Sequence, residues 1–152
     1  MEVRFLPPEP RSSGVGSAPG NVRVWPRMER VDGIGGFFFR AADPDGLAAW
    51  YDQHLGIDPV PTSYGATVWT QREGPTVFAP FGPDAAESPV IGRGGWGINF
   101  RVRDLDAIAA QLGSSGVDVE VDETDYPNGR FAQLNDPEGN AIQLWEPKEP
   151  IG

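Results

Sequence analysis

Two stretches of this chain are rough copies of each other, and the duplication limits what the chain can fold into more than any other feature does. Gly36-Phe37-Phe38-Phe39-Arg40-Ala41-Ala42-Asp43 and Gly97-Ile98-Asn99-Phe100-Arg101-Val102-Arg103-Asp104 align without a gap. Each runs into a helical pattern, Asp45, Leu47, Ala48, Ala49 in the first and Asp106, Ile108, Ala109, Ala110 in the second. Glu73-Gly74 and Glu138-Gly139 form a second matched pair at predicted hairpin turns, so the repeat extends beyond one strand and one helix. A repeated strand-to-helix unit calls for two similar modules that share one core.

The 152 residues suffice for one domain with a working core. Twelve basic residues against twenty-two acidic ones give a net charge of −10, which repels phosphate backbones and anionic membrane surfaces. Nucleic acid and membrane are therefore excluded as expected partners. With no cysteine, the chain has no disulfide, thiolate nucleophile or thiolate metal site, so any metal would rest on His, Asp or Glu. No apolar run approaches a membrane span and the first residues lack the apolar stretch of a secretion signal, so a cytoplasmic location is expected.

Residues 1–30 interleave Pro7, Pro8, Pro10 and Pro19 with Gly and Ser and show no helix or strand period. They read as a disordered tail, because such a segment buries too little apolar surface to offset its ordering entropy. Met28 stands just before the first regular element and is a second candidate start of translation. A single domain is expected over 31–148, made of modules 31–81 and 96–148 joined by a Gly/Pro/Ala-rich linker at 82–95, with 149–152 as a short tail.

In the first module the alternation predicts a strand at Ile34 to Ala41 and a helix at Pro44 to Leu55, with Asp43 as N-cap, Pro44 at the first helical position and Gly56 as its end. Strands near 58–61, at 66–71 and at 75–81 follow, the last two joined by a turn at 72–74. The second module repeats the order: strand 96–103, helix 105–114 capped by Asp104, strand 117–121, loop 122–128, strand 129–134, turn 136–139 and strand 140–146. Each half is a βαβββ unit in an α+β fold.

Strand alternation sorts the side chains by face. Phe37, Phe39 and Ala41 with Ile98, Phe100 and Val102 form the apolar set expected under the helices. The opposite set is Gly36, Phe38, Arg40, Gly97, Asn99 and Arg101, joined by Ala141, Gln143 and Trp145. A mixed polar and aromatic face turned away from the helices is where a ligand is expected.

The paired modules, the segment GGFFFRAADPDGLAAWYDQHLGI, its echo GINFRVRDLDAIAAQLGSSGV and the closing YPNGRFAQLNDPEGNAIQLWEP resemble the vicinal oxygen chelate superfamily of glyoxalase I, bleomycin-resistance proteins, fosfomycin-resistance enzymes and extradiol dioxygenases. The resemblance covers residues 31–148 and implies two tandem βαβββ modules whose sheet curves into a cup with the helices outside, usually completed in a homodimer. It also implies a divalent metal held at four strand positions. The first of each module lies seven residues before the capping Asp, at Gly36 and Gly97, and the second four residues after the hairpin Gly, at Phe78 and Gln143. Two glycines and a phenylalanine donate nothing, and one neutral Gln cannot hold a divalent ion. The neighbours Gly35, Phe37, Trp96, Ile98, Ala79 and Val77 supply no donor in a shifted register. The expected cofactor is none.

Other chemistry has little support. His54, the only histidine, falls late in the first helix and reads as a surface residue, and Glu146 reads as a solvated or capping carboxylate on the face opposite Gln143. Asp122, Glu123 and Asp125 read as a solvated run in a loop. Nucleophilic triads and phosphate loops lack their parts.

The expected ligand-binding residues are Phe38, Phe78 and Trp145 as stacking faces, Asn99 and Gln143 as hydrogen-bonding groups, and Arg101, with Trp69, Trp96 and Tyr126 at the rim. For Arg40 and Arg101 the plain reading is salt bridges to Asp43, Asp104 or nearby acids. The leading expectation is a metal-free small-molecule-binding or sequestering protein of the bleomycin-resistance type, its acidity suited to a cationic guest. Two alternatives are a metal-dependent lyase or dioxygenase, and a metal-independent isomerase or lyase in which Arg101 polarises a substrate oxygen and Glu146 or Tyr126 moves a proton.

Overall fold

The computed structural model describes residues 29–84 and 88–148. Of the tails predicted at 1–30 and 149–152, all but residues 29 and 30 lie outside those residues. Six elements follow in chain order: α1 (Pro44–Leu55), β1 (Ile98–Arg101), α2 (Leu105–Ser114), β2 (Glu120–Val121), β3 (Gly129–Asn135) and β4 (Ala141–Pro147).

Both helices begin where an aspartate can satisfy free backbone N–H groups. Asp43 Oδ1 accepts from Gly46 N at 3.1 Å, and Asp104 Oδ1 accepts from Ala107 N at 3.0 Å. Pro44 follows the first cap, and Gly56 ends α1 in the left-handed region with φ 68°. A second carboxylate, from the end of the chain, reaches each helix start. Glu138 accepts from Ala42 N (2.5 Å) and Asp43 N (3.2 Å), while Glu146 Oε2 accepts from Leu105 N at 2.6 Å. The capping reading of Glu146 is the observed one.

The second module is the βαβββ unit that its sequence predicts. Its four strands lie in the order β1-β4-β3-β2. β1 runs parallel to β4, pairing Ile98 with Ile142 and Asn99 with Gln143, while β3 is antiparallel to both β4 and β2. The β3–β4 hairpin turns at Gly139, whose N–H donates to Asp136 O at 2.9 Å.

One face of this sheet carries the core. Ala132 and Leu134 from β3 and Ile142 and Leu144 from β4 pack with Leu47 and Tyr51 of α1 and Leu105 and Leu112 of α2. Ala41, Ile98, Phe100 and Val102 border that cluster, as the alternation predicts. Both helices thus sit on one face and leave the other open. None of the described helices is long and apolar enough to cross a membrane.

The first module departs from the expectation. Its helix forms, but the stretches predicted as strands at 34–41, 58–61, 66–71 and 75–81 run outside any strand ladder, and 72–74 closes no hairpin. Alternation reports which side of a strand would be apolar but supplies no partner. Pro59, Pro61, Pro75 and Pro80 remove donors along these stretches, and an isolated hairpin is marginal in water. Phe37 and Phe39, expected in the core, are instead 45% and 38% exposed. Their rings lean on Trp96 at 5.1 and 5.0 Å, and Phe39 meets Tyr51 at 6.5 Å.

Candidate functional site

The open face of the sheet is built from two rows of side chains that cross the strands. Register places Asn99, Gln143, Gln133 and Glu120 in one row, on β1, β4, β3 and β2. The next row holds Arg101, Trp145 and Phe131, and beside Phe131 stands Asp122, whose N–H donates to the Phe131 carbonyl at 2.9 Å. The first row is polar and the second largely aromatic.

In the polar row, Asn99 Nδ2 donates to Gln143 Oε1 at 2.8 Å, and Gln143 is fully buried. Gln133 Nε2 donates to the carbonyl of Pro89 at 2.8 Å. In the aromatic row, Phe131 and Trp145 stack with centroids 6.3 Å apart and planes 3° from parallel, and Tyr126 meets Phe131 edge-on at 5.8 Å. The Trp145 indole N–H donates to Asn128 O at 2.8 Å. Gly129, at φ 134°, makes room for that indole, because a Cβ there would strike both it and the Glu146 carbonyl.

A cleft of about 380 Å³ opens over β2, β3 and β4, floored by Phe131, Ala132, Gln133 and Gln143. Pro89 walls one side, and Glu120, Asp122, Glu123, Thr124 and Tyr126 wall the other. The Tyr126 hydroxyl donates to Asp122 Oδ2 at 2.8 Å, and Thr124 N donates to Asp122 Oδ1 at 2.9 Å. The Thr124 amide and then the Tyr126 hydroxyl hold the Asp122 carboxyl below its ordinary value, so it stays charged at neutral pH. Asp122 is thus an ordered wall residue, where the sequence suggested only a solvated charge run.

Of the six residues expected at the site, the structure brings Asn99, Gln143, Arg101 and Trp145 to this one face. Phe38 and Phe78 are not joined to it within this chain, being 92% and 86% exposed. Arg101 makes no bridge to Asp104. Its Nη2 donates to the carbonyl of Arg72 at 3.1 Å and its guanidinium lies against Gly74, clamping the first module's chain to the second. Tyr126 is committed to Asp122, and Glu146 to the start of α2 on the opposite face. Arg101, Tyr126 and Glu146 therefore do not converge on a common point. Phe131, Gln133 and Pro89 were missed by the sequence reading. Alternation along 129–135 carries the signal for the first two.

The family's metal positions fail as a donor set. Gly36 and Gly97 have no side chain, Phe78 has no donor, and the Gln143 oxygen already accepts from Asn99. At Gly97 there is no space for a ligating side chain, since a Cβ would run into the carbonyl of Val90. Residues 88–92, within the stretch expected to link the modules, lie against the face there, with Val90 buried and Gly92 N donating to Trp96 O at 2.8 Å. Among the described residues, no three His, Asp or Glu side chains stand close enough to hold a metal ion.

Residues 22–144 match the Glyoxalase/Bleomycin resistance protein/Dioxygenase superfamily. The chain belongs to that superfamily. Among solved structures, this superfamily member is similar to TnmS3, an antibiotic binding protein from Streptomyces sp. CB03234, with a TM-score of 0.53 and 20% identity over 80% of this chain and all of that one. That likeness supports the fold. A glyoxalase/bleomycin resistance protein from the same Streptomyces strain is 40% identical over 33% of this chain and 43% of its own, with a TM-score of 0.30. In sequence, CFP32 of Mycobacterium bovis and of Mycobacterium tuberculosis, which carries a provisional glyoxylase name, is 40% identical over 53 residues. The match spans about a third of this superfamily member and a fifth of CFP32.

Proposed function

We propose that this protein binds and sequesters a small molecule in the cup without a metal and without chemistry on its guest. The observation that carries this reading is the filled metal position: Gly97 faces the Val90 carbonyl, and the one polar side chain at the family's ligand positions, Gln143, has its oxygen engaged by Asn99. What remains is an aromatic and amide-lined cleft with acidic walls, a surface suited to hold a flat guest that is neutral or cationic. The antibiotic binding of TnmS3 and the bleomycin-resistance members of the superfamily make an antibiotic the guest of choice. Phe38 and Phe78 join the site from a second copy of the chain, in a homodimer that closes the cup, and the protein acts in the cytoplasm.

Trp145 stacks on the floor residue Phe131 and so reports on occupancy. Titration with bleomycin and a panel of aromatic antibiotics is expected to quench tryptophan fluorescence saturably with at least one of them. Prior dialysis against EDTA leaves the titration unchanged. Near-stoichiometric metal in elemental analysis, with binding lost on chelation, would show this reading wrong in favour of a metal-dependent lyase or dioxygenase.

A further inference from the structure

Two buried polar atoms of the cleft floor have no hydrogen-bond partner: Gln133 Oε1 and Gln143 Nε2. The other end of each amide is engaged. Gln133 must turn its nitrogen to the Pro89 carbonyl, which can only accept, and Gln143 turns its oxygen to Asn99 Nδ2. An acceptor and a donor are left, on residues directly opposed across β3 and β4, and both residues line the cleft. Opposed side chains in an antiparallel pair stand roughly 5 Å apart at Cβ, close enough for both amides to meet one small ligand group. Buried polar groups are nearly always paired, so an orphan donor beside an orphan acceptor at the floor of a cleft marks a place for a ligand.

The partner that satisfies both is a group with an N–H beside a C=O on the same edge. We infer that Gln133 and Gln143 form a reader for a cis-amide edge, such as a lactam or primary carboxamide, with the ligand N–H donating to Gln133 Oε1 and its carbonyl accepting from Gln143 Nε2. This rests on the cup being a small-molecule site, and it names the chemistry of the guest. Phe131 and Tyr126 beside the pair favour a planar ring carrying that edge. Glu120, Asp122 and Glu123 on the wall repel an anionic substituent and favour a cationic one.

The test uses three probes on the full chain, followed by the side-chain amide signals of Gln133 and Gln143 in nitrogen-15 NMR spectra. 2-Quinolinone carries the edge, N-methyl-2-quinolinone lacks its donor, and 2-quinolinone-4-carboxylate carries the edge with an anion. The parent is expected to bind saturably and shift both side-chain amides. The N-methyl compound is expected to bind about tenfold weaker or worse, because it leaves Gln133 Oε1 buried and unpaired, and the carboxylate to bind more weakly than the parent at low salt. In Gln133→Met the parent and the N-methyl compound are expected to bind alike. The comparison in the unaltered protein stands even if that variant fails to fold. No binding of the parent, equal binding of parent and N-methyl compound, or shifts confined to residues outside the cleft would overturn the inference. A protein that still binds an antibiotic saturably while ignoring the lactam edge would retain the proposed function and lose only this reader.

Discussion

Asp136 gathers four hydrogen bonds at the junction of the two halves. Buried at the turn between β3 and β4, its carboxylate accepts from Glu138 N (2.9 Å), Asn140 N (3.0 Å), Asn140 Nδ2 (2.7 Å) and the Tyr51 hydroxyl (2.8 Å). The first three bonds are local and shape the turn. The fourth crosses to α1 and fastens the first module's helix to the second module's hairpin. Burial, and then the hydrogen bond to Asp136, hold the Tyr51 phenol far above its ordinary value. Removing the hydroxyl in Tyr51→Phe leaves three donors on Asp136, so the expected cost is about 1–2 kcal/mol, read as a lower urea midpoint at pH 7. The folded-state value lies above that of the unfolded chain, so the phenol's contribution is complete below about pH 10. As pH rises further, unfolded chains release the proton while folded chains keep it, and stability falls. Between pH 8 and 11 the unaltered protein is expected to lose about 1 kcal/mol more than Tyr51→Phe does. Equal losses in the two proteins would mean that Tyr51 ionises freely in the fold.

At the scale of elements, both helices are started twice, once by a local aspartate and once by a distant glutamate. For α2 the distant group is Glu146, whose charged oxygen sits on the first amide of the helix, where the dipole favours an anion. Glu146→Ala is expected to cost about 1 kcal/mol and lower the melting temperature by about 2–4 °C, with Glu146→Gln losing less because an acceptor remains. Ligand binding is expected to survive both changes. Loss of binding with unchanged stability would instead place Glu146 in the cup. The contrast shows what the sequence could disclose. The aspartate caps, the proline and glycine that bound α1, and the inward face of β1 follow from neighbours within a few residues, and all were legible. Asn99 and Gln143 were placed on the right face by strand parity. The glutamate that joins Ala42 across 96 positions was not legible, because pattern carries no information on which distant backbone a side chain meets. The same limit explains the first module, where Ile34 to Ala41 alternates like a strand and finds no ladder to join.

For the whole molecule, the unpaired first module leaves apolar side chains exposed among the described residues. Val60 is 88% exposed, Val68 65%, Phe38 92% and Phe78 86%, more large apolar side chains than one short stretch of chain ordinarily leaves in water. In the sheet order β1-β4-β3-β2, β1 is an edge, so its outer backbone groups can pair with another strand. The homodimer proposed above would answer both demands, since each copy offers extended first-module chain and an open sheet edge, and a two-fold arrangement would use every such surface once. The net charge of −10 per chain opposes the association, so the dimer is expected to tighten as salt rises, as it should when apolar burial drives assembly against like-charge repulsion. Sedimentation equilibrium is expected to give twice the chain mass at micromolar concentration. Phe38→Asp combined with Phe78→Asp should return the monomer mass and weaken guest binding, while the circular dichroism of α1 and α2 persists. A monomer across the whole concentration range would remove the second copy from the site. The amide row of β3 and β4 would then have to bind the guest alone.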